Sequence, residues 1–237
     1  MAPYIGEFLG TFLLILMGAG VNANLDLVKT KGHNGGWVLM SLGWGMAVFL
    51  GVYTAVHLGG SGHINPAVTI GLGVFGDFDS GLVLGYIVAQ MAGAFLGAIA
   101  AWAAFRLHFE ATDDANKKLG VFSTSPAIRH PFSNFITEMI GTFVLVFGAL
   151  AASAPTTSLG ALDALPVALL VVGIGMGLGG PTGYAINPAR DLGPRLAHFV
   201  LPISGKRDSD WSYSWVPIAG PIIGGLLGAG LYHLIGG

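Results

Sequence analysis

The sequence predicts an all-α membrane protein in which six transmembrane helices and two re-entrant half-helices form an inverted repeat. Three observations support this fold class: the composition, the number of long apolar windows and a tripeptide that occurs twice. Apolar residues make up 53% of the chain and charged residues 9%, and the mean hydropathy is +0.72. This composition is too apolar for an ordinary soluble domain and is typical of a protein that crosses the membrane several times.

The six predicted spans follow from the thickness of the bilayer. A hydrocarbon core of roughly 30 Å requires about 20 consecutive apolar residues in a helix. Six windows meet this requirement: Tyr4–Ala23, Trp37–Leu58, Gly81–Phe105, Phe132–Ser153, Leu165–Gly180 and Trp215–Ile235. Two other apolar stretches, Pro66–Phe75 and Pro188–Leu201, are too short to cross and are therefore predicted as half-helices.

Both short stretches begin at the same tripeptide, Asn65-Pro66-Ala67 in the first half and Asn187-Pro188-Ala189 in the second. Proline suits the first helical turn, where its missing N–H costs nothing, and asparagine suits the preceding cap. Two such helix starts that meet from opposite faces place two positive dipole ends at the membrane centre. Asparagine amides aimed into a lumen there would donate to a passing oxygen, and a cation would be repelled.

An internal repeat sets the organisation of the chain. The pattern Glu7–Phe12 recurs as Glu138–Phe143, so each half contains three spans and one half-helix. Because three is odd, the second half enters the membrane upside down. We predict one domain over residues 1–237, with halves at about 1–106 and 133–237 and a polar linker at about 107–132.

Composition also excludes several kinds of site. The chain has no cysteine, which excludes disulfides, thiolate metal sites and a cysteine nucleophile. The net charge of −2 gives no basic surface for nucleic acid. We therefore expect no nucleic-acid partner.

The segments around the two tripeptides, Ser61–Thr69 and Gly183–Asp191, resemble the corresponding segments of the major intrinsic proteins. The resemblance extends over essentially the whole chain. Within that family, the residue types at Asp191, Arg195 and Pro217-Ile218 resemble those of the glycerol facilitator, or aquaglyceroporin, branch. The resemblance implies an aquaporin-like homotetramer in the lipid bilayer, with one pore in each protomer. It also implies passive conduction of glycerol, water and other small neutral solutes, without a cofactor, a metal or catalytic residues. The sequence does not rank glycerol against dihydroxyacetone, urea or lactic acid.

The resemblance further implies a selectivity filter formed by Trp44, Gly175, Tyr184 and Arg190. Arg190 follows the second tripeptide directly. Tyr184 stands where glycerol facilitators usually carry phenylalanine, and Gly175 stands where water-selective members carry a narrowing histidine. Trp44 matches the second-span pattern once a one-residue insertion is placed between 57 and 60. In this arrangement Trp44 and Tyr184 form an apolar corner and Arg190 donates to solute hydroxyls.

Four residues are expected to support the re-entrant loops. Glu7 and Glu138 lie in apolar runs, and the resemblance implies that each carboxylate accepts backbone N–H groups of a bend. His63 is expected to support the first bend, and Asp191 is also assigned to loop support. Proton transport by the two glutamates is the alternative, although no chain of other titratable groups accompanies them.

The distribution of basic residues conflicts with the resemblance on orientation. All ten lie on the side of loops one, three and five: Lys29, Lys31, Arg106, Lys117, Lys118, Arg129, Arg190, Arg195, Lys206 and Arg207. The positive-inside rule would place both termini outside the cell. The resemblance implies a multi-pass protein of the cell membrane, plasma or inner, with cytoplasmic termini, and this is the orientation that we predict.

Two other classes of function fit part of the pattern. A secondary active transporter also has inverted repeats and broken helices, but it would need a cluster of coupling-ion carboxylates near the midplane. A structural membrane-junction protein, known within the wider family, would not need a complete polar filter.

Overall fold

The computed structural model describes residues 1–152 and 158–236 of the chain. Within these ranges the structure consists of helices and connecting loops, and Gly160–Ala164 and Ser80–Leu82 are 3₁₀ turns. The α-helices are α1 (Ala2–Asp26), α2 (Gly36–His57), α3 (Pro66–Phe75), α4 (Val83–Ala104), α5 (Arg106–Ala111), α6 (Ala115–Gly120), α7 (Pro131–Ala151), α8 (Leu165–Leu178), α9 (Pro188–Val200) and α10 (Val216–Leu234).

The six predicted spans are confirmed: α1, α2, α4, α7 and α10 are apolar and long enough to cross a membrane, and α8 is long enough together with the 3₁₀ turn before it. The fifth span differs from its prediction at both ends. Helix α8 stops at Leu178, and the 3₁₀ turn Gly160–Ala164 extends the span at its other end to 19 residues in all. The predicted end of the fourth span, Ser153, lies outside the described residues.

The two short apolar stretches are the half-helices α3 and α9. Each begins at the proline of its tripeptide, with the preceding asparagine as the cap. Helix α3 packs against α10, and α9 packs against α4. Each half-helix is therefore held by the last span of the other half, which joins the two halves of the inverted repeat.

Glycines let the long spans approach closely in both halves. A Cβ at Gly93 of α4 would lie 2.2 Å from the carbonyl oxygen of Phe8 in α1. A Cβ at Gly224 of α10 would lie 2.2 Å from the carbonyl oxygen of Met139 in α7. Since real Cβ atoms do not approach oxygen this closely, both helix pairs depend on glycine at the contact.

Two lysines hold the loops together near the C-terminal end of α9. Lys206 Nζ donates to the carbonyl oxygens of His198, Phe199 and Leu201 at 2.6–2.8 Å, where it caps the C-terminal end of α9. Lys118 Nζ donates to the carbonyl oxygen of Ser204 at 2.6 Å. Both lysines therefore have a structural use in holding these loops.

Candidate functional site

The two tripeptide asparagines are joined reciprocally across the centre of the fold. Asn65 Oδ1 accepts from the N–H of Ala67 at 2.9 Å, and its Nδ2 donates to the carbonyl oxygen of Ile186 at 2.8 Å. Asn187 Oδ1 accepts from the N–H of Ala189 at 3.0 Å, and its Nδ2 donates to the carbonyl oxygen of Ile64 at 2.8 Å. A primary amide carries two N–H groups, so each asparagine keeps one for another acceptor.

The bends before both asparagines contain strained backbone. Ile64 has φ = 42° and Ile186 has φ = 43°, values that a β-branched residue rarely adopts. Each such residue costs about 1–3 kcal/mol and persists only where its surroundings hold it. The strain falls at the residue whose carbonyl oxygen accepts from the opposite asparagine.

The carboxylates of Glu7 and Glu138 hold these two bends with matching geometry. The two oxygens of Glu7 accept from the N–H groups of His63 and Ile64 at 2.9 and 2.7 Å. Those of Glu138 accept from Ala185 and Ile186 at 2.9 and 2.8 Å. Both side chains are buried. A pair of backbone N–H bonds to one carboxylate is a strong, charge-assisted arrangement, and it fixes the conformation of each bend.

The first bend has further polar partners. Gln90 Nε2, on α4, donates to Glu7 Oε2 at 2.8 Å and to Thr69 Oγ1 at 2.9 Å. His63 Nδ1 lies 3.2 Å from Thr69 Oγ1, and its ring contacts Phe78 with centroids 4.6 Å apart. His63 is thus packed into the first bend, and Gln90 is a supporting residue that the sequence analysis missed, although an amide inside an apolar span was a visible signal.

Asp191 connects α9 to the linker. One oxygen accepts from the N–H and the hydroxyl of Thr124, both at 2.8 Å. The other oxygen accepts from Arg195 Nε and Nη2 at 2.8 and 2.7 Å. Arg195 Nη1 then donates to the carbonyl oxygen of Ser209 at 2.7 Å. All charges of this buried pair are satisfied, so α9, the linker and the loop before α10 are held as one unit.

A cavity of about 280 Å³ runs past both tripeptides and is lined by Asn65, Asn187 and Arg190. The bends 61–64 and 184–186 also line it. Many of the other lining residues are apolar, and they include Leu14, Val48, Val52, Leu72, Leu145, Val146, Val167 and Val171. The cavity therefore combines polar groups with apolar side chains that come mainly from the spans.

Trp44, Tyr184 and Arg190, three of the four residues assigned to the filter, line this cavity. The Arg190 guanidinium carbon lies 4.0 Å from the centroid of the Trp44 ring, and Nη1 donates to the carbonyl oxygen of Phe122 at 3.1 Å. The separation is a van der Waals contact, so no solute atom fits between guanidinium and ring in this conformation. The Phe122 carbonyl was not predictable, because a main-chain acceptor leaves no trace in the sequence.

Gly175 lies behind Tyr184 and is absent from the residues that line the cavity. A Cβ at Gly175 would lie 2.9 Å from Tyr184 Cζ and 3.0 Å from Ser41 Oγ. The carbonyl oxygen of Gly175 accepts from Trp37 Nε1 at 2.8 Å. Gly175 therefore affects the aperture through the space that it leaves for the tyrosine ring.

His57 is exposed at the end of α2, where its ring stacks on Tyr53 with centroids 5.9 Å apart. In residues 1–152 and 158–236, no group of three histidine or acidic side chains is placed to bind a metal ion.

Comparison with known proteins gives consistent matches over the whole chain. The family model described as "Major intrinsic protein" matches residues 1–232. The "Probable glycerol uptake facilitator protein" of Thermotoga maritima is 57% identical over 98% of this chain and 99% of its own length. The "Glycerol uptake facilitator protein 3" of Lactiplantibacillus plantarum is 53% identical, over 98% and 95% respectively. The solved aquaglyceroporin of Plasmodium falciparum has a TM-score of 0.85 and 32% identity, over 98% of this chain and 95% of its own.

Proposed function

The chain belongs to the major intrinsic protein family, whose members are passive channels and not enzymes, and we propose that it conducts glycerol, water and other small neutral solutes. The observation that carries the proposal is a cavity, lined by both polar and apolar groups, that passes both tripeptides and the Trp44–Tyr184–Arg190 group. We include dihydroxyacetone, urea and lactic acid among the candidate solutes because each is small and can be uncharged.

The two kinds of lining group match the chemistry of a polyol. The carbon backbone of glycerol would slide along the apolar side chains, and its hydroxyls would exchange hydrogen bonds with the polar groups. The free N–H groups of Asn65 and Asn187 are donors to a solute oxygen at the centre of the path. A solute that replaces its lost water contacts in this way pays little for leaving bulk water.

The polar lining of the cavity also opposes cations. Arg190 keeps its positive charge at every physiological pH, and the N-terminal ends of α3 and α9 add positive partial charge beside the asparagines. A cation or proton that enters the cavity would meet these charges after losing part of its hydration. We propose that this barrier excludes ions and protons while neutral solutes pass.

Arg190 and Trp44 are in contact where both line the proposed path. Glycerol would pass beside this contact, with its hydroxyls at the guanidinium donors and its carbon atoms against the indole. The bond from Arg190 Nη1 to Phe122 holds the guanidinium in this position. Water has no carbon backbone to place against the indole, so this pair affects the two solutes differently.

We further propose a homotetramer in the cell membrane with both termini in the cytoplasm, with residues 1–237 forming one channel domain in each protomer. Support comes from the family membership and from apolar side chains exposed on the outer faces of the spans, among them Leu84, Val88 and Leu169. A cysteine placed at the N-terminus and labelled by an impermeant reagent in intact cells would test the orientation. Labelling without permeabilisation would contradict cytoplasmic termini.

Swelling of proteoliposomes tests the proposed function. Vesicles with the purified protein are diluted into equal osmolarities of glycerol, urea or a disaccharide, and light scattering follows the volume. We expect re-swelling with glycerol at a rate well above that of protein-free vesicles, and none with the disaccharide. Glycerol rates equal to those of protein-free vesicles would overturn the proposal, and re-swelling with disaccharide would show an unselective hole.

A further inference from the structure

The indole of Trp44 is bonded to a residue of α1 that none of the filter assignments includes. Trp44 Nε1 donates to Asn22 Oδ1 at 2.9 Å, and both side chains are buried. The bond joins α2 to α1 at the level of the filter. It leaves the indole N–H unavailable to a solute, so Trp44 presents only apolar atoms to the path.

The orientation of the Asn22 amide is fixed by its partners. An indole N–H can only donate, so the atom facing it must be the amide oxygen. Asn22 Nδ2 then donates to the carbonyl oxygen of Gly120 at 3.0 Å, with that of Val121 at 3.5 Å. A reversed amide would place two donors against each other and an oxygen against a carbonyl. Asn22 therefore has one arrangement that satisfies all three groups.

The segment that receives Asn22 also receives Arg190. Asn22 Nδ2 bonds to Gly120, and Arg190 Nη1 bonds to the carbonyl oxygen of Phe122, two residues further on. Arg190 is thus bonded directly to this short piece of the linker, and Trp44 is bonded to it through Asn22. A shift of residues 120–122 would move both.

Helix α1 contacts the Trp44 ring at a second point. A Cβ at Gly18 would lie 2.3 Å from Trp44 Cζ3 and 2.4 Å from Cη2. Gly18 and Asn22 are four residues apart and so lie on one face of α1. The glycine makes space for the six-membered ring, and the asparagine fixes the nitrogen of the five-membered ring. Together they determine both the position and the rotation of the indole.

We propose that Asn22 is a positioning residue for solute selectivity: it holds Trp44 in the filter through the indole N–H. The inference rests on the proposed function, since it concerns the same path. While a solute passes the Trp44 ring, the bond to Asn22 keeps the ring in place. Without that bond the indole is free to rotate, its N–H becomes available to water, and the apolar surface for the carbon backbone is lost for part of the time.

The test is Asn22→Leu, which keeps the approximate size of the side chain and removes both hydrogen-bonding groups. We expect the ratio of glycerol to water permeability to fall by about tenfold, the change that corresponds to one positioned hydrogen bond. Asn24→Leu is the matched control, because Asn24 lies on the same helix but packs against the loop at Gly32. We expect that control to keep the ratio within about twofold.

A double-mutant cycle separates positioning from a general loss of stability. If Asn22 acts through the indole N–H, adding Asn22→Leu to Trp44→Phe, which has no N–H, should change the ratio by less than about twofold. An equal fall in both backgrounds would overturn the inference. So would an unchanged ratio in Asn22→Leu.

A spectroscopic measurement covers the case in which Asn22→Leu does not fold. Ultraviolet resonance Raman spectra of the wild type minus Trp44→Phe report whether the Trp44 indole is hydrogen-bonded. A bonded signature supports the inference, and a free N–H overturns it. The proposed function fails separately, when the wild-type protein conducts no more glycerol than empty vesicles.

Discussion

Asn65 donates a side-chain N–H to the carbonyl oxygen of Ile186, and Asn187 donates one to that of Ile64, both at 2.8 Å. The two half-helices are thereby tied end to end at the centre of the fold, with their strained bends back to back. Two carboxylates, one from each half, hold those bends from behind. The pore motifs are consequently a single rigid unit built by both halves, and the predictions below follow from its parts.

Glu138 is expected to be essential to the stability of this unit. In Glu138→Gln one amide oxygen can still accept, but the NH₂ group would face a backbone N–H, either of Ala185 or of Ile186. A buried donor without a partner costs about 1–3 kcal/mol, and the charge-assisted bonds are lost as well. We expect a loss of about 2–4 kcal/mol, measured as a lower midpoint of thermal unfolding in detergent.

Glu110→Gln is the control for that change. Glu110 forms an exposed pair with Arg106 at 3.1 Å, and such pairs contribute little. The control should unfold within about 2 °C of the wild type. If Glu138→Gln were equally harmless, the proposed role of the carboxylate in holding the bend would be wrong.

Gly175 is expected to control the aperture through Tyr184. In Gly175→Ala the new methyl group would lie 2.9 Å from Tyr184 Cζ, so the tyrosine ring must shift toward the path. Glycerol flux should fall more than water flux, and Gly175→His should slow glycerol roughly a hundredfold, for an added barrier of ~3 kcal/mol. Stopped-flow light scattering measures both fluxes in one preparation.

Gly173→Ala is the control on the same helix, because a Cβ there would have no neighbour within 4 Å in the described part of the chain. It should leave both fluxes unchanged. Equal slowing of glycerol and water in Gly175→Ala would show that Gly175 does not set the aperture.

Arg190 and the half-helix starts are expected to form the barrier to cations. Arg190→Val removes the fixed positive charge, and Asn65→Asp adds a negative charge beside the path. The double variant should show a proton or cation conductance in voltage-clamped bilayers that the wild type lacks. An unchanged conductance in correctly assembled protein would contradict this account of ion exclusion.

The ion pair between Arg129 and Asp210 should make stability depend on pH in the acid range. Burial opposes the charge of Asp210, but the hydrogen bonds and charge of Arg129 outweigh it and lower the pKa of that carboxyl below its usual value. A lowered pKa stabilises the fold above the unfolded value of about 3.9 and loses that effect as pH falls through the folded value.

The unfolding midpoint should therefore change little between pH 7 and pH 5 on account of this pair and should fall below about pH 4. Asp210→Asn should flatten that part of the pH profile. An identical acid profile in the variant would mean that the pair contributes nothing.

Sequence patterns were sufficient for the fold because each span is long, apolar and bounded by polar loops. The tripeptides also indicated where the chain bends, and the resemblance implied that Glu7 and Glu138 support those bends. The positions of side chains at the filter were less accessible. That Gly175 lies behind Tyr184 depends on how α8 meets the second bend, and no residue pattern along α8 encodes that contact.

The linker was the least predictable part of the site. The sequence analysis treated it only as a polar linker, yet it contains the short helices α5 and α6. It acts through main-chain carbonyl groups at 120, 121 and 122 that any residue would supply. Asn22 did carry a signal, a polar amide within an apolar span. Its partner, Trp44, is on another helix, so the pairing required the three-dimensional structure.

The most direct test of the central claim, passive conduction, is the initial rate of glycerol uptake into proteoliposomes as a function of glycerol concentration. It should be measured under three conditions: with no ion gradient, with an imposed proton gradient and with an imposed sodium gradient. We predict a rate that rises linearly into the high millimolar range and is the same under all three conditions. Saturation at low concentration together with acceleration by either ion gradient would contradict a channel and indicate a secondary active transporter.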